Sequence, residues 1–284
     1  MRSNKEQRLA SFFGFFAFAI SATIALAYSS NLFALFVFYE ILTFITYPLV
    51  SHGADAESQM GARKYILILV SSSVLFFLPA IVATYYITGT LDFKVGGIFP
   101  DTTQNYILVV LSILFVYGIG KAALMPMHKW LPSAMVAPAP VSALLHAVAV
   151  VKAGVFSVLK IVVCIFGIDH FQNFGGSDWL VYVSGVSIVL ASSIALVQDN
   201  LKSRLAYSTI SQLAYVVLAA GIATPLAIIG ASIHIVAHGF SKITLFFAAG
   251  SIYLKSHIKS ISNLDGLGKR MPWTMGAFGI GALG

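Results

Sequence analysis

Charged residues and cysteine are both scarce in this sequence. Its 284 residues include 17 Lys and Arg and 10 Asp and Glu, fewer than an ordinary soluble domain carries. The single cysteine, Cys164, forms no intrachain disulfide and completes no metal site. The chain also lacks a Gly-rich phosphate loop, a CxxC pair and a haem-ligand arrangement. We therefore predict no bound cofactor and no catalytic redox centre in this chain.

Apolar residues make up 58% of the chain, and the mean hydropathy is +0.90. Both values are typical of a polytopic membrane protein in contact with the lipid bilayer. The formal net charge of +7 could indicate a nucleic-acid partner. However, the basic residues stand in short loops between apolar runs, as the positive-inside rule describes, so we predict no nucleic-acid binding.

Eight apolar runs have about the 20 residues that a helix needs to cross a bilayer. They lie near 9–28, 31–50, 65–87, 106–125, 141–168, 179–197, 205–222 and 226–254, and a partial ninth begins at Pro272. The sequence thus predicts an all-α fold, a polytopic transmembrane helix bundle formed as a single domain over residues 1–284. Because Gly284 lies inside an apolar run, we expect the chain to be cut from a longer one.

The charges in the loops predict an orientation. With the N-terminus inside, the cytoplasmic loops carry Arg63, Lys64, Lys129, Lys202, Arg204, Lys255, Lys259, Lys269 and Arg270. The opposite side holds Asp92, Lys94, Asp101, Asp169 and Asp178. This asymmetry indicates a cytoplasmic N-terminus, in a membrane that we expect to be a bacterial plasma membrane.

The stretch from Tyr117 to Lys160 is unlike a simple membrane anchor. It combines five ionisable residues with four prolines: Lys121, His128, His146, Lys152 and Lys160, and Pro126, Pro132, Pro138 and Pro140. An ionisable group at bilayer depth is unfavourable by roughly 2.5–3.5 kcal/mol, so several of them indicate a function. Since proline removes backbone donors, we predict a discontinuous helix that ends near Met125 and resumes past Pro132 or Pro140.

Glu40 and Lys121 are the candidate charge pair. Glu40 lies about ten residues, or roughly 15 Å, into the second span. A lysine held by a carboxylate keeps its proton, and one whose carboxylate withdraws releases it more readily, so the two could act as a proton switch. Alternatively, Glu40 is a structural carboxylate and Lys121 extends to the inner surface.

His146 and Lys152 are six residues apart on one predicted helix. This spacing places them about 9 Å apart along the helix axis and on different sides of it. One helix could thus serve two neighbouring parts of a proton path. Lys160 lies closer to the outer surface, where extension to the surface is an equal alternative.

His234, His238 and Lys242 recur at every fourth residue and therefore share one helix face. Two histidines at this spacing could bind a metal, but no glutamate follows His234 and no third ligand is near it in sequence. Histidines beside a lysine are better suited to proton relay. Together with the four candidates above at positions 40, 121, 146 and 152, they form a polar band parallel to the membrane plane.

Several segments resemble the antiporter-like membrane subunits shared by Mrp-type cation/proton antiporters, membrane-bound hydrogenases and respiratory complex I. They are FVFYEILTFITYPLV, GKAALMPMHKWLPSAMVAPAPVSALLHA, QDNLKSRLAYSTISQLAYV, HIVAHGFSKITLFFAAGSI and ISNLDGLGKRMP, in the order of that family. Among its subfamilies, YPLVSH and VVKAGVF are most similar to the D-type subunits of Mrp antiporters.

The resemblance implies a role for each matching residue. It implies that Glu40 and Lys121 form the switch pair, that Lys152 is the central lysine, and that the polar connection continues through His234, His238 and Lys242. It also implies that a subunit moves protons through two linked half-channels. The sequence resembles the middle portion of a chain of about fourteen helices.

The sequence predicts a proton-translocating membrane subunit of a multisubunit Na⁺/proton antiporter. Its expected partners are other membrane subunits, protons and Na⁺. The alternative is a proton-pumping membrane subunit of a complex I-like NADH:quinone oxidoreductase or of a membrane-bound hydrogenase.

Overall fold

The structure is a computed structural model that describes residues 9–53 and 55–283. Nine longer helices organise this part of the chain: α1 Leu9–Ala27, α2 Leu32–Gly53, α3 Ala56–Thr88, α4 Asn105–Gly118, α5 Ala139–Phe166, α6 Gly176–Val197, α7 Leu201–Ile222, α8 Pro225–Ser256 and α9 Pro272–Leu283. Seven of them are long and apolar enough to cross a membrane, and α4 is a shorter apolar helix. The predicted polytopic bundle of eight spans and a partial ninth is confirmed.

Four of these helices begin at residues whose side chains cap free backbone amides. The side chains of Asn31, Asp55, Asn200 and Thr224 each accept a hydrogen bond from the N–H group three residues further on, at 2.7, 2.9, 3.1 and 3.2 Å. The first N–H groups of a helix have no partner within it. These caps therefore fix where α2, α3, α7 and α8 begin.

Loops that are far apart in the sequence meet at the two ends of the bundle. An isolated β-bridge joins Asn31, between α1 and α2, to Asp92, between α3 and α4. A second bridge joins Asn200, between α6 and α7, to Ser260, between α8 and α9. In each pair, two loops meet that the charge pattern places on the same side of the membrane. The two bridges therefore agree with the predicted alternation of loops between the two sides.

The interrupted span is broken earlier than its prolines predict. Helix α4 ends at Gly118, and Ile119 leaves helical geometry with φ −83° and ψ 61°. A 3₁₀ turn covers Gly120–Ala122, and Ala123 has a positive φ of 54°. The predicted discontinuity is confirmed, whereas the prediction that the helix ends near Met125 is wrong.

Close packing against α3 explains the early break. A Cβ atom on Gly118 would overlap the backbone nitrogen of Phe77, and one on Gly120 would overlap the Ser72 hydroxyl. Only glycine permits so close an approach. Trp130 Nε1 donates to the Gly120 carbonyl at 2.9 Å, so a backbone group released by the break keeps a partner.

Helix α5 begins at Ala139 and has Pro140 in its first turn, where the missing N–H group needs no partner. This restart agrees with one of the two predicted positions. The helix contains two π-helical segments, Leu144–Val148 and Val162–Phe166. Such segments are frequent at functional sites, and the first of them contains His146.

Candidate functional site

Lys121 lies in the break after α4, and its side chain is fully buried. Its ammonium group donates to the Tyr39 carbonyl oxygen at 2.8 Å and to the Thr43 hydroxyl at 2.5 Å. The same nitrogen lies 3.1 Å from the centre of the Tyr39 ring. Lys121 therefore points into the bundle against α2 and does not extend to the inner surface.

Glu40 follows Tyr39 on α2, beside the group that binds Lys121. Its side chain is half-buried, and its Oε1 atom is buried without a hydrogen-bond partner. Lys121 contacts two residues of α2 that lie next to Glu40 on that helix, since its ammonium group donates to Tyr39 and Thr43. The exchange of Lys121 between these acceptors and Glu40 stays a prediction.

Lys152 and His238 form the most direct contact between two candidate residues. They are 86 positions apart, on α5 and α8, and Lys152 Nζ lies 2.5 Å from His238 Nδ1. Lys152 is 8% exposed and His238 is 3% exposed. Because a lysine ammonium donates and a neutral imidazole nitrogen accepts, this contact has the geometry for proton transfer.

His234 continues the site along α8. Its ring stacks on that of His238, with the ring centres 6.1 Å apart and the planes 28° apart. The stacking confirms that the two histidines share one helix face. His234 Nε2 and His238 Nε2 are both buried and without a hydrogen-bond partner, so each ring has a nitrogen that no protein group occupies.

Lys242 lies further along the same helix and is 4% exposed. Its ammonium group donates to the Ser208 hydroxyl on α7 at 2.6 Å and approaches the Leu205 carbonyl at 3.5 Å. Both acceptors are neutral. Lys242 therefore links α8 to α7, and the polar groups extend across three neighbouring helices, α5, α8 and α7.

His146 is fully buried within the π-helical part of α5. Neither of its ring nitrogens has a hydrogen-bond partner, and its ring lies against Phe246 of α8 with the centres 4.8 Å apart. His146 and Lys152 were expected on different sides of their helix, yet both side chains contact α8. Buried polar atoms without partners are rare in native proteins, so His146 stays a functional candidate.

Gly154 lies where the region around Lys121 meets the helix that carries Lys152. A Cβ atom at this position of α5 would overlap the backbone of Lys121 and Ala122. Helix α5 thus packs directly on the break, two residues beyond Lys152. The order of packing is α2, the break, α5, α8 and α7.

Lys202, which the sequence assigned to a cytoplasmic loop, is half-buried and contacts the segment between α4 and α5. It lies in the first turn of α7, and its ammonium group donates to the carbonyl oxygens of Ala137 at 2.7 Å and Met135 at 3.4 Å. A cation in the first turn is disfavoured by the helix dipole. This unfavourable position in the helix is the sequence signal from which a hydrogen-bonding partner for Lys202 elsewhere in the fold could have been expected.

Lys160 is a lysine of α5 outside this arrangement. It donates to the carbonyl oxygens of Ala27 at 3.1 Å and Ser29 at 2.7 Å, which lie at the end of α1. The described parts of the chain contain no group of three or more His, Cys, Asp and Glu placed to hold a metal. The candidate site consists of lysines, histidines and one carboxylate, which are buried or half-buried.

The fold and these groups define a multi-pass helical membrane protein with a discontinuous span and lysines buried inside the helix bundle. A family model described as NADH:quinone oxidoreductase/Mrp antiporter, transmembrane, matches residues 29–284. The chain belongs to this family.

The chain is similar to part of longer curated proteins. The chloroplast NAD(P)H-quinone oxidoreductase subunit 5 of Ipomoea purpurea is 30% identical over 294 residues, which cover 98% of this chain and 40% of that protein. The corresponding subunit of Guizotia abyssinica is 31% identical over 290 residues, which cover 96% of this chain and 38% of that protein. The chain thus spans less than half the length of these relatives.

Two solved structures have the same arrangement of helices. A chain of the Mrp complex from Dietzia sp. DQ12-45-1b superposes with a TM-score of 0.81 and 30% identity over 93% of this chain and 29% of its own length. A chain of the membrane-bound sulfane sulfur reductase, an archaeal respiratory membrane complex, gives a TM-score of 0.83 and 28% identity over 94% of this chain and 54% of its own length.

Proposed function

We propose that this protein is a proton-translocating membrane subunit of a multisubunit Na⁺/proton antiporter. The observation that carries the proposal is the hydrogen bond between Lys152 and His238, both buried and on different helices. The proposed proton path comprises Glu40, Lys121, His146, Lys152, His234, His238 and Lys242. Within this proposed path, charge moves between groups that the sequence predicts to form one polar band.

The Lys152–His238 contact supplies the elementary proton transfer. A proton leaves Lys152 Nζ and binds His238 Nδ1, so the amine becomes neutral and the ring becomes a cation. The ring then passes a proton from Nε2, the nitrogen without a protein partner, to water in the proposed path, and the neutral Lys152 amine takes up the next proton. Histidine is suited to this exchange because one ring nitrogen can accept a proton while the other releases one.

The antiporter assignment is supported by likeness to the Mrp complex from Dietzia and by the segments similar to the D-type subunits of Mrp antiporters. A second candidate has its own support. The curated relatives are named as subunits of NAD(P)H-quinone oxidoreductase, and the second solved structure is a respiratory complex. A proton-pumping subunit of such a redox complex is therefore the alternative.

We further propose that the protein works among other membrane subunits in a bacterial plasma membrane, with its first described helix starting on the cytoplasmic side. Both solved structures are complexes, and the chain spans only part of its relatives. For the orientation, cysteines at Asn173 and Lys269 are introduced singly into a Cys164→Ala background. An impermeant thiol reagent outside the cell should label only the first position.

Inverted membrane vesicles from cells that express the protein distinguish the two functions. A pH-sensitive dye reports whether added Na⁺ collapses a preformed proton gradient, or whether NADH oxidation builds one. We expect the Na⁺ response, and we expect Lys121→Ala to abolish it with normal assembly, because the variant lacks the cation of the break. Full flux in assembled Lys121→Ala would contradict the proposed function, and a proton gradient driven only by NADH would favour the redox alternative.

A further inference from the structure

The acceptors of the Lys121 ammonium group are both neutral, and both belong to α2. They are the Tyr39 carbonyl oxygen and the Thr43 hydroxyl oxygen. The Thr43 hydroxyl is itself a donor to the Tyr39 carbonyl at 3.2 Å, which leaves its lone pairs for Lys121. These oxygens bind an ammonium group well, yet they neither neutralise its charge nor remove its proton.

We propose that these two oxygens form a neutral acceptor site that competes with Glu40 for Lys121, and that Thr43 is a positioning residue for proton translocation. The lysine then has two resting positions. On the neutral acceptor site it is separated from the carboxylate, and on Glu40 it is paired. The inference deepens the proposed function and rests on it.

The helical geometry of α2 makes this exchange a short movement. Successive residues are about 100° apart around a helix, so Thr43 lies between Tyr39 and Glu40, roughly 60° from the carboxylate. Lys121 already contacts Thr43, which lies closer than Tyr39 to Glu40 around the helix axis. The proposed exchange therefore moves the ammonium group by about a sixth of a turn around α2.

The neutral acceptor site is held in place independently of the ammonium group. The backbone N–H of Lys121 donates to the Tyr39 hydroxyl at 3.1 Å, and the Tyr39 ring packs edge-on against Phe77 with the centres 5.5 Å apart. Tyr39 and Thr43 are fully buried. The carbonyl of Tyr39 thus stays in position when the side chain of Lys121 leaves it.

Thr43→Val tests the proposal, because valine keeps the shape of threonine and removes only the hydroxyl, which accepts from Lys121 and donates to the Tyr39 carbonyl. Loss of a hydrogen bond to a charged group shifts an equilibrium by about tenfold or more. We expect Lys121 to remain on Glu40, and proton flux in inverted vesicles to fall by about tenfold per assembled molecule. Thr43→Ser restores the hydroxyl and should restore flux to within about twofold of the parent. Thr43→Ala gives the same comparison if the valine variant does not assemble.

Thr46 provides the matched control, one turn further along α2. It is also fully buried, and its hydroxyl contacts the Leu42 carbonyl and the Tyr65 hydroxyl, each at 2.6 Å, and the Thr43 backbone carbonyl at 3.1 Å. Thr46→Val removes a buried hydroxyl of the same kind without touching Lys121. We expect this variant to have the flux of the parent per assembled molecule. It thus separates the general effect of losing a buried hydroxyl from the loss of the Lys121 acceptor in Thr43→Val.

The infrared spectrum provides a second measurement, the position of the Glu40 carboxylate band. A purely structural role of Thr43 would leave this band unchanged. The carboxylate band of Glu40, assigned by subtraction of the Glu40→Gln spectrum, should shift in Thr43→Val because its ammonium partner has moved closer. Thr46→Val should leave the band unchanged. An unshifted Glu40 band in Thr43→Val would overturn the proposal.

The flux measurements also distinguish failure of this inference from failure of the proposed function. Parent flux in Thr43→Val or Thr43→Ala, together with an inactive Lys121→Ala, would overturn the neutral acceptor site and leave the proton path intact. Parent flux in Lys121→Ala would overturn both. Equal flux in Thr43→Ser and Thr43→Ala would show that the hydroxyl is not the relevant group and would also overturn the inference.

Discussion

The two buried lysines at the centre of this molecule have different kinds of partner. Lys121 donates to a backbone carbonyl and a hydroxyl, which hold a cation but cannot take its proton. Lys152 faces a histidine nitrogen at 2.5 Å, a group that can accept a proton as well as a hydrogen bond. The comparison indicates that the region around Lys121 positions a charge, whereas the region around Lys152 exchanges a proton.

The contact between the two regions should be the most sensitive point. Gly154→Ala places a Cβ atom against the backbone of Lys121 and Ala122, where neither side yields easily. We expect a destabilisation of about 3 kcal/mol and lost flux. Thermal unfolding of the purified complex measures it.

Gly185 is the matched control, since a Cβ atom there meets nothing within 4 Å. Gly185→Ala should be neutral or stabilising by up to about 1 kcal/mol. Equal stability of the two variants would contradict the close packing of α5 on the break.

Lys160 extends the comparison between Lys121 and Lys152. Like Lys152, it lies on α5, which follows the break. It donates to the carbonyl oxygens of Ala27, the last residue of α1, and of Ser29, and a cation there also stabilises the helix dipole. Lys160→Met should lower the unfolding free energy by about 1–2 kcal/mol and leave flux per assembled molecule at the parent value. A large loss of flux in this variant would show that burial of any lysine in α5, and not its partner, decides its role.

The smallest expected effect lies outside the membrane, at Asp199. Hydrogen bonds from the Ser262 backbone N–H at 2.9 Å and hydroxyl at 3.0 Å lower the pKa of its carboxyl below the ordinary value. A lowered pKa means that the folded protein favours the carboxylate. Its stabilisation is therefore complete above the unfolded pKa of about 3.9 and is lost as the pH falls through the folded value.

Asp199→Asn should thus unfold at a slightly lower temperature at neutral pH, with the difference disappearing in acid. Asp101→Asn, at an exposed position on the other side of the bundle, is the control. A difference that persists below the folded pKa would contradict a role for the charge of Asp199.

Much of the fold was predictable, because length and hydropathy determine which segments cross a bilayer. The end of α4 was not, since it depends on glycines at 118 and 120 that approach α3, and spacing alone does not show which helices touch. His234 and His238 were placed on one face by their spacing, as the stacked rings confirm.

The acceptors of Lys121 were missed for a different reason. A backbone carbonyl is present at every residue, so nothing in the sequence marks the one at Tyr39 as a binding group. Thr43 gave only the weak signal of a polar residue one turn from Tyr39. The partner of Lys152 likewise depends on how α5 and α8 pack, although the sequence had already grouped both residues in one polar band.

A double-mutant cycle at Lys152 and His238, with proton flux as the measured quantity, tests most directly the central claim that a proton passes between these two residues. Lys152→Leu, His238→Leu and the double variant are compared in inverted vesicles, with assembly measured in each. General acid–base transfer contributes on the order of 100-fold, so we expect each single variant to lose about that much. The double variant should lose no more, because both residues act in one step. Parent flux in either assembled single variant, or losses that multiply in the double variant, would contradict proton transfer between these two residues.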